Sequence, residues 1–206
     1  MIGILGGSFD PIHYGHLRPA RELARALELT QLRFIPTAHP PHRAPPVAAA
    51  ADRLKMLQLA VADEPGFVAD DRELRRDGPS YTILTLESLR AELDNRPLCL
   101  IMGMDAFLGL DRWHRWRELW TYAHIVVMPR PGWSVARDLP DWARPRWCKD
   151  ARELSQTPAG RLWVQAVTPQ DISATHIRAA LAQGESVADC LPPAVLRYIE
   201  ANRIYS

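Results

Sequence analysis

Leu98 to Met102 is apolar without a break, and His124 to Met128 is apolar after its first residue. A strand that faces solvent on one side alternates apolar and polar residues. A continuous run must be covered on both sides, and a parallel sheet flanked by helices provides that. Other largely apolar runs occur at Met1 to Leu5, Leu32 to Pro36, Phe67 to Ala69 and Leu162 to Val167. Helical spacing lies between them, over Leu17 to Leu27, Arg53 to Ala62, Tyr81 to Leu93, Ala174 to Gln183 and Pro193 to Ala201. Two short helices are expected at Asp105 to Leu110 and Trp113 to Tyr122. Strand and helix alternate almost throughout, which predicts an α/β fold with a parallel sheet and helices on both faces. Such folds bind ligands beyond the carboxyl ends of the strands. The segments that follow strands therefore carry the functional interest: Gly6 to His16, Pro36 to Arg43, Gly103 to Asp105, and Thr168 to Arg178.

The rest of the composition narrows the partners. A formal net charge of +1 gives no basic field for nucleic acid. No apolar run approaches the ~20 residues needed to cross a bilayer. Met1 to Gly7 lacks the cationic start of a secretion signal, so a cytoplasmic location is expected. Cys99, Cys148 and Cys190 are few, odd in number and far apart, which argues against a disulfide framework or a zinc site. A chain of 206 residues suits one domain, with an irregular excursion rich in Pro, Trp and Arg at about 129–160. The oligomeric state is left open.

The densest chemistry is the string Gly6-Gly7-Ser8-Phe9-Asp10-Pro11-Ile12-His13-Tyr14-Gly15-His16. Two glycines after a strand allow a tight turn whose backbone N–H groups approach an anion. His13 and His16 share a face of the first helical turn. Gly15 between them removes a side chain where a flat nucleotide could approach. The helix start adds a partial positive charge suited to phosphate. Near the other end, Ile172-Ser173-Ala174-Thr175-His176-Ile177-Arg178 reads as a capped helix start with a guanidinium in reach of phosphate oxygens.

The first string resembles the HxGH signature of the nucleotidyltransferase superfamily, and the second resembles that superfamily's ISxTxIR segment. The resemblance implies a Rossmann-like fold and transfer of a nucleotidyl group onto a phosphate. The HxGH signature alone does not choose among pyridine-nucleotide adenylyltransferases, phosphopantetheine adenylyltransferases and cytidylyltransferases. Three further segments are similar to those of bacterial nicotinate-nucleotide adenylyltransferases. They are Ile35 to Arg43, Pro79 to Leu86, and Gly103-Met104-Asp105 followed by Trp113.

That family's reaction joins ATP and nicotinate mononucleotide and releases pyrophosphate. The resemblance implies ATP binding by Gly6, Gly7, Ser8, Phe9, His13, His16, Gly103, Asp105, Ile172, Ser173, Thr175 and Arg178. It implies nicotinate mononucleotide binding by Ser8, Arg43, Tyr81, Thr82, Asp105, Trp113 and His114. His13, His16 and Arg178 are the expected catalytic residues, and Mg²⁺ is expected to accompany ATP without a protein cage. One departure is His114, where the family commonly has Tyr. Trp116 and Trp120 are read as packing residues, and His124 as structural.

Overall fold

The computed structural model describes residues 1–40 and 44–205. Six strands form one sheet: β1 (Ile2–Gly7), β2 (Gln31–Pro36), β3 (Phe67–Ala69), β4 (Leu98–Gly103), β5 (His124–Met128) and β6 (Leu162–Val164). Their order is β3-β2-β1-β4-β5-β6, and every pair is parallel. This is the doubly wound order, which reverses direction between β1 and β4 and opens a crevice at their carboxyl ends. The segments at Gly6 and Gly103 meet there.

Side chains along the strands divide between two cores with a period of two. In β4, Cys99 and Ile101 enter one core while Leu98, Leu100 and Met102 enter the other. In β5, Val126 faces the first, and Ile125 and Val127 face the second. The first core is closed by helices α1 (Tyr14–Ala26), α2 (Ala50–Val61), α7 (Ala174–Ala182) and α8 (Pro193–Asn202). The second is closed by α3 (Thr82–Leu93), α4 (Met104–Leu108) and α5 (Leu119–Tyr122). Burial on both faces is the reason for the unbroken apolar runs.

Apart from shifted helix starts, three expected elements differ. The helix expected over Trp113 to Tyr122 is broken: Arg115 takes a left-handed φ of 53°, a 3₁₀ turn covers Trp116–Glu118, and α5 follows. Arg115 is held there by ion pairs to Glu87 and Glu118. Likewise α4 ends at Leu108, and a separate 3₁₀ turn spans Leu110–Arg112. The last strand stops at Val164 instead of Val167, because the chain then turns toward α1, where the Thr168 N–H donates to Glu22 (2.7 Å).

The excursion is ordered by packing. It contains the short helix α6 (Val135–Asp138), two 3₁₀ turns, and a bridge from Trp147 to Leu162 beside the sheet edge. Leu139, Ala143, Cys148 and Leu154 from this stretch are buried. Trp120 is also buried, and it meets Trp142 edge-on, as does the half-buried Trp116. His124 is fully buried; its Nδ1 accepts from the Arg161 N–H (3.1 Å) and its Nε2 meets the Thr157 carbonyl (2.8 Å), a structural role. No helix among the described residues is long and apolar enough to cross a membrane.

Candidate functional site

After β1 the chain turns sharply. Phe9 adopts a left-handed φ of 47°, and its ring is buried. That ring packs edge-on to His16 (centroids 5.3 Å) and against Phe34 (5.9 Å). Phe9 thus offers only its backbone to a ligand. His13 is the N-cap of α1, which begins at Tyr14, three residues earlier than the apolar periodicity predicts. The His13 and His16 rings stack at 3.8 Å with 29° between their planes.

Gly15 has a different reason from the one expected. A Cβ there would lie 2.8 Å from two His13 ring atoms and 3.0 Å from the Ile172 carbonyl oxygen. The glycine therefore makes room for His13 and for the second motif. Gly6 and Gly103 behave oppositely: a Cβ at either would meet nothing within 4 Å. Both are exposed at the crevice, so the space they leave is open to a ligand.

Burial lowers the His13 pKa to about 4, and it lowers His16 with a further contribution from the neighbouring His13. Both rings are therefore neutral at pH 7. The His13 backbone N–H points at His16 Nδ1 (3.4 Å), which leaves the proton on Nε2 and makes that nitrogen the donor. His13 Nδ1 is buried without a hydrogen-bond partner among the described residues.

The second motif rests on the first. Ser173 caps α7 and accepts from the His176 N–H (3.2 Å). Thr175 Oγ1 accepts from Arg178 (3.4 Å), and the Arg178 Nη1 also donates to the Asp10 carbonyl (2.6 Å). The structure thus joins Gly6–His16 with Ile172–Arg178. Ser8 is half-buried, and its carbonyl accepts from Arg53 (2.7 Å).

Asp10 and Arg53 were not singled out by the sequence. Arg53 is 2% exposed, and burial lowers its pKa while Asp10 supports its charge. It shares the buried face of α2 with Met56, Leu57 and Ala60, and a charged residue on an apolar stripe is the signal that could have revealed it.

On the other side of the crevice, Asp105 lies in the first turn of α4 and pairs with Arg130, which follows β5. Arg130 was missed because no local pattern marks it. Tyr81 is the N-cap of α3, and its ring stacks on His114 at 4.3 Å and 27°. Trp113 is half-buried beside them. The Tyr81 N–H is taken by the Pro79 carbonyl (2.9 Å), so the free donors of this helix start begin at Thr82. Ser80 Oγ accepts from Ala38 (3.0 Å) and His39 (3.1 Å), which stitches the Pro-rich loop to α3. Arg43 lies outside the described residues, together with Pro41 and His42. Among the described residues, no group of three or more His, Cys, Asp or Glu is placed to hold a metal ion.

The chain is similar to known proteins along its whole length. Residues 4–180 match the cytidylyltransferase-like family. A protein of Halorhodospira halophila described as a probable nicotinate-nucleotide adenylyltransferase is 53% identical, with 97% of this chain and 93% of that one covered. One of the same description from Methylococcus capsulatus is 49% identical, with both chains covered completely. Among solved structures, the nicotinic acid mononucleotide adenylyltransferase of Plasmodium falciparum, complexed with NaAD, has a TM-score of 0.71 at 16% identity, covering 99% of this chain and 96% of that one. That likeness is one of fold. The turn, the histidine pair, the returning arginine and the full-length relatives together make this chain a member of the nicotinate-nucleotide adenylyltransferase family.

Proposed function

We propose that the protein transfers the adenylyl group of ATP to nicotinate mononucleotide, giving nicotinate adenine dinucleotide and pyrophosphate. A 5′-phosphate oxygen of the mononucleotide attacks the α-phosphorus, and the bond from that phosphorus to the β-bridging oxygen breaks. No covalent enzyme intermediate is needed. Catalysis is then placement and charge stabilisation.

The observation that carries this reading is the neutral His13–His16 stack at a helix start, with Arg178 folded onto the same turn. In this reading His16 donates from Nε2 to the α-phosphate, and His13 donates to the triphosphate. Arg178 and the Ser173–Thr175 cap hold the β- and γ-phosphates. Gly6, Gly7, Ser8 and the Phe9 backbone line the phosphate path, and Ile172 borders it. Gly103 and Asp105 face the sugars. Mg²⁺ would enter with the substrate, as MgATP, and would supply charge neutralisation for the departing pyrophosphate. The only carboxylate in the turn, Asp10, is already occupied by protein donors, which agrees with a metal carried by the nucleotide. Soluble nucleotides as substrates suit a cytoplasmic enzyme.

The acceptor reading rests on α3. Thr82 presents a free N–H and the positive end of the helix, which favours a carboxylate over a carboxamide. Trp113 stacks on the pyridine ring, the His114 backbone adds a donor, and Arg43 neutralises the mononucleotide phosphate. A carboxamide would set its NH₂ against donors, a loss of roughly 1–3 kcal/mol per unpaired group. Pyrophosphate release measured side by side should show kcat/KM for nicotinate mononucleotide at least ~100-fold above that for nicotinamide mononucleotide. Equal efficiency would defeat the nicotinate assignment and leave adenylyl transfer standing.

A further inference from the structure

We propose that Tyr205 is a positioning residue for the nucleotide phosphates and acts through Asp10; the inference rests on the reading that the Gly6–His16 turn and Arg178 bind ATP. Asp10 is 4% exposed. Its Oδ1 accepts from the Tyr205 hydroxyl (2.6 Å) and the Ala48 N–H (3.0 Å), and its Oδ2 accepts from the Val47 N–H (2.7 Å). The same Oδ2 lies 3.7 Å from Arg178 Nη1, and that nitrogen donates to the Asp10 carbonyl at 2.6 Å. Arg178 is therefore aimed by both ends of one residue. A fixed Asp10 side chain therefore holds a negative charge steadily beside the guanidinium.

Two of the three donors to that carboxylate are backbone groups leading into α2, and they cannot vary with sequence. Tyr205 is the side-chain donor. Its own backbone has a φ of 70°, in the left-handed region that bulky side chains avoid. A non-glycine residue kept in that region by surrounding contacts points to a task for its side chain. The charged groups facing the phenol are Asp10, Arg178 and Arg53. Burial and the Asp10 contact raise its pKa, so the hydroxyl stays a donor.

A second tyrosine, inside α8, supplies a comparison. The Tyr198 hydroxyl donates to Asp52 (2.8 Å), tying α8 to α2 with similar chemistry but with no contact to the turn. If Tyr205 merely fastened the chain, its loss would lower the melting temperature and leave MgATP affinity unchanged, as expected for Tyr198.

The test uses the full chain with Tyr205→Phe, Tyr198→Phe, Asp10→Asn and the double variant Tyr205→Phe/Asp10→Asn. MgATP affinity is read by calorimetry without acceptor, and KM, kcat and thermal melting are read alongside. Tyr205→Phe should weaken MgATP binding about 10-fold, as expected for losing one charge-assisted hydrogen bond. KM for the acceptor should stay within about two-fold, since no acceptor residue is touched. Tyr198→Phe should lower the melting temperature slightly and leave MgATP affinity unchanged. The double variant should bind MgATP as Asp10→Asn does, because both changes remove the same link. Unchanged MgATP binding in Tyr205→Phe, equal weakening in Tyr198→Phe, or additive losses in the double variant would each overturn the proposal. If Asp10→Asn does not fold, the comparison of the two tyrosines decides alone. A wild-type protein that binds no MgATP would remove the phosphate-site reading and this inference together.

Discussion

The His13 and His16 imidazoles lie face to face, 3.8 Å apart, over a residue that has no side chain. Adding one carbon at Gly15 would push into the His13 ring and the Ile172 carbonyl together. Gly15→Ala should therefore lower kcat by about 10-fold or more, while alanine's better helix propensity offsets part of the strain and keeps the fold. Gly6→Ala, whose Cβ enters open space, should melt like the wild type and raise KM for ATP. Steady-state kinetics and thermal melts of both variants check this. Normal turnover in Gly15→Ala would mean that the ring stack is not part of catalysis.

His16 should be the costlier of the two rings to lose. As a single preorganised donor to developing charge, its removal in His16→Ala is expected to cut kcat by ~100-fold or more. The circular dichroism spectrum should be unaltered. Near-normal kcat would take His16 out of the mechanism.

Acid should weaken the fold through these same groups. Burial holds the His13 pKa at about 4 against a usual 6.5, and it lowers His16 and His124 as well. Between those values the unfolded chain takes up protons that the folded chain resists, so stability rises with pH there. The contribution is complete above pH 6.5 and is lost as pH falls toward 4. The urea midpoint should drop between pH 7.5 and pH 5, and the drop should shrink in His13→Gln. The same drop in both proteins would assign the acid sensitivity to other groups.

Asp105 and Arg130 form an ion pair in which both side chains are about two-thirds exposed, at 65% and 68%. Such pairs contribute about 0–1 kcal/mol to stability. Asp105→Asn should leave the melting temperature nearly unchanged. If the carboxylate accepts from a ribose hydroxyl, KM for the nucleotides should rise about 10-fold. A melting loss with unaltered KM would give the residue to the fold.

The alternation of strand and helix was legible because burial on both faces leaves a mark on the central strands. The phosphate turn was legible because Gly, His and helix start are adjacent in sequence. The broken stretch after Trp113 was not, since Arg115 is held in its left-handed conformation by Glu87, on a helix from an earlier part of the chain. Nor was the Asp10–Tyr205 contact, which closes a separation of 195 residues with no local pattern at either end. The true reason for Gly15 also lies across the chain, in Ile172. Sequence reading picked out Gly6–His16 and Ile172–Arg178, which the structure joins; contacts between distant segments decide how they are aimed.

The place of β1 in the middle of the sheet has a consequence for synthesis. Its neighbour β2 follows within one helix, so β3-β2-β1 can pair while the chain is still being made. The far edge of β1 stays bare until residues 98–103 leave the ribosome. A bare apolar edge is a template on which another chain can add a strand. Ribosomes stalled before Leu98 would thus release fragments prone to cross-pairing, and this interval is where a chaperone has most to shield.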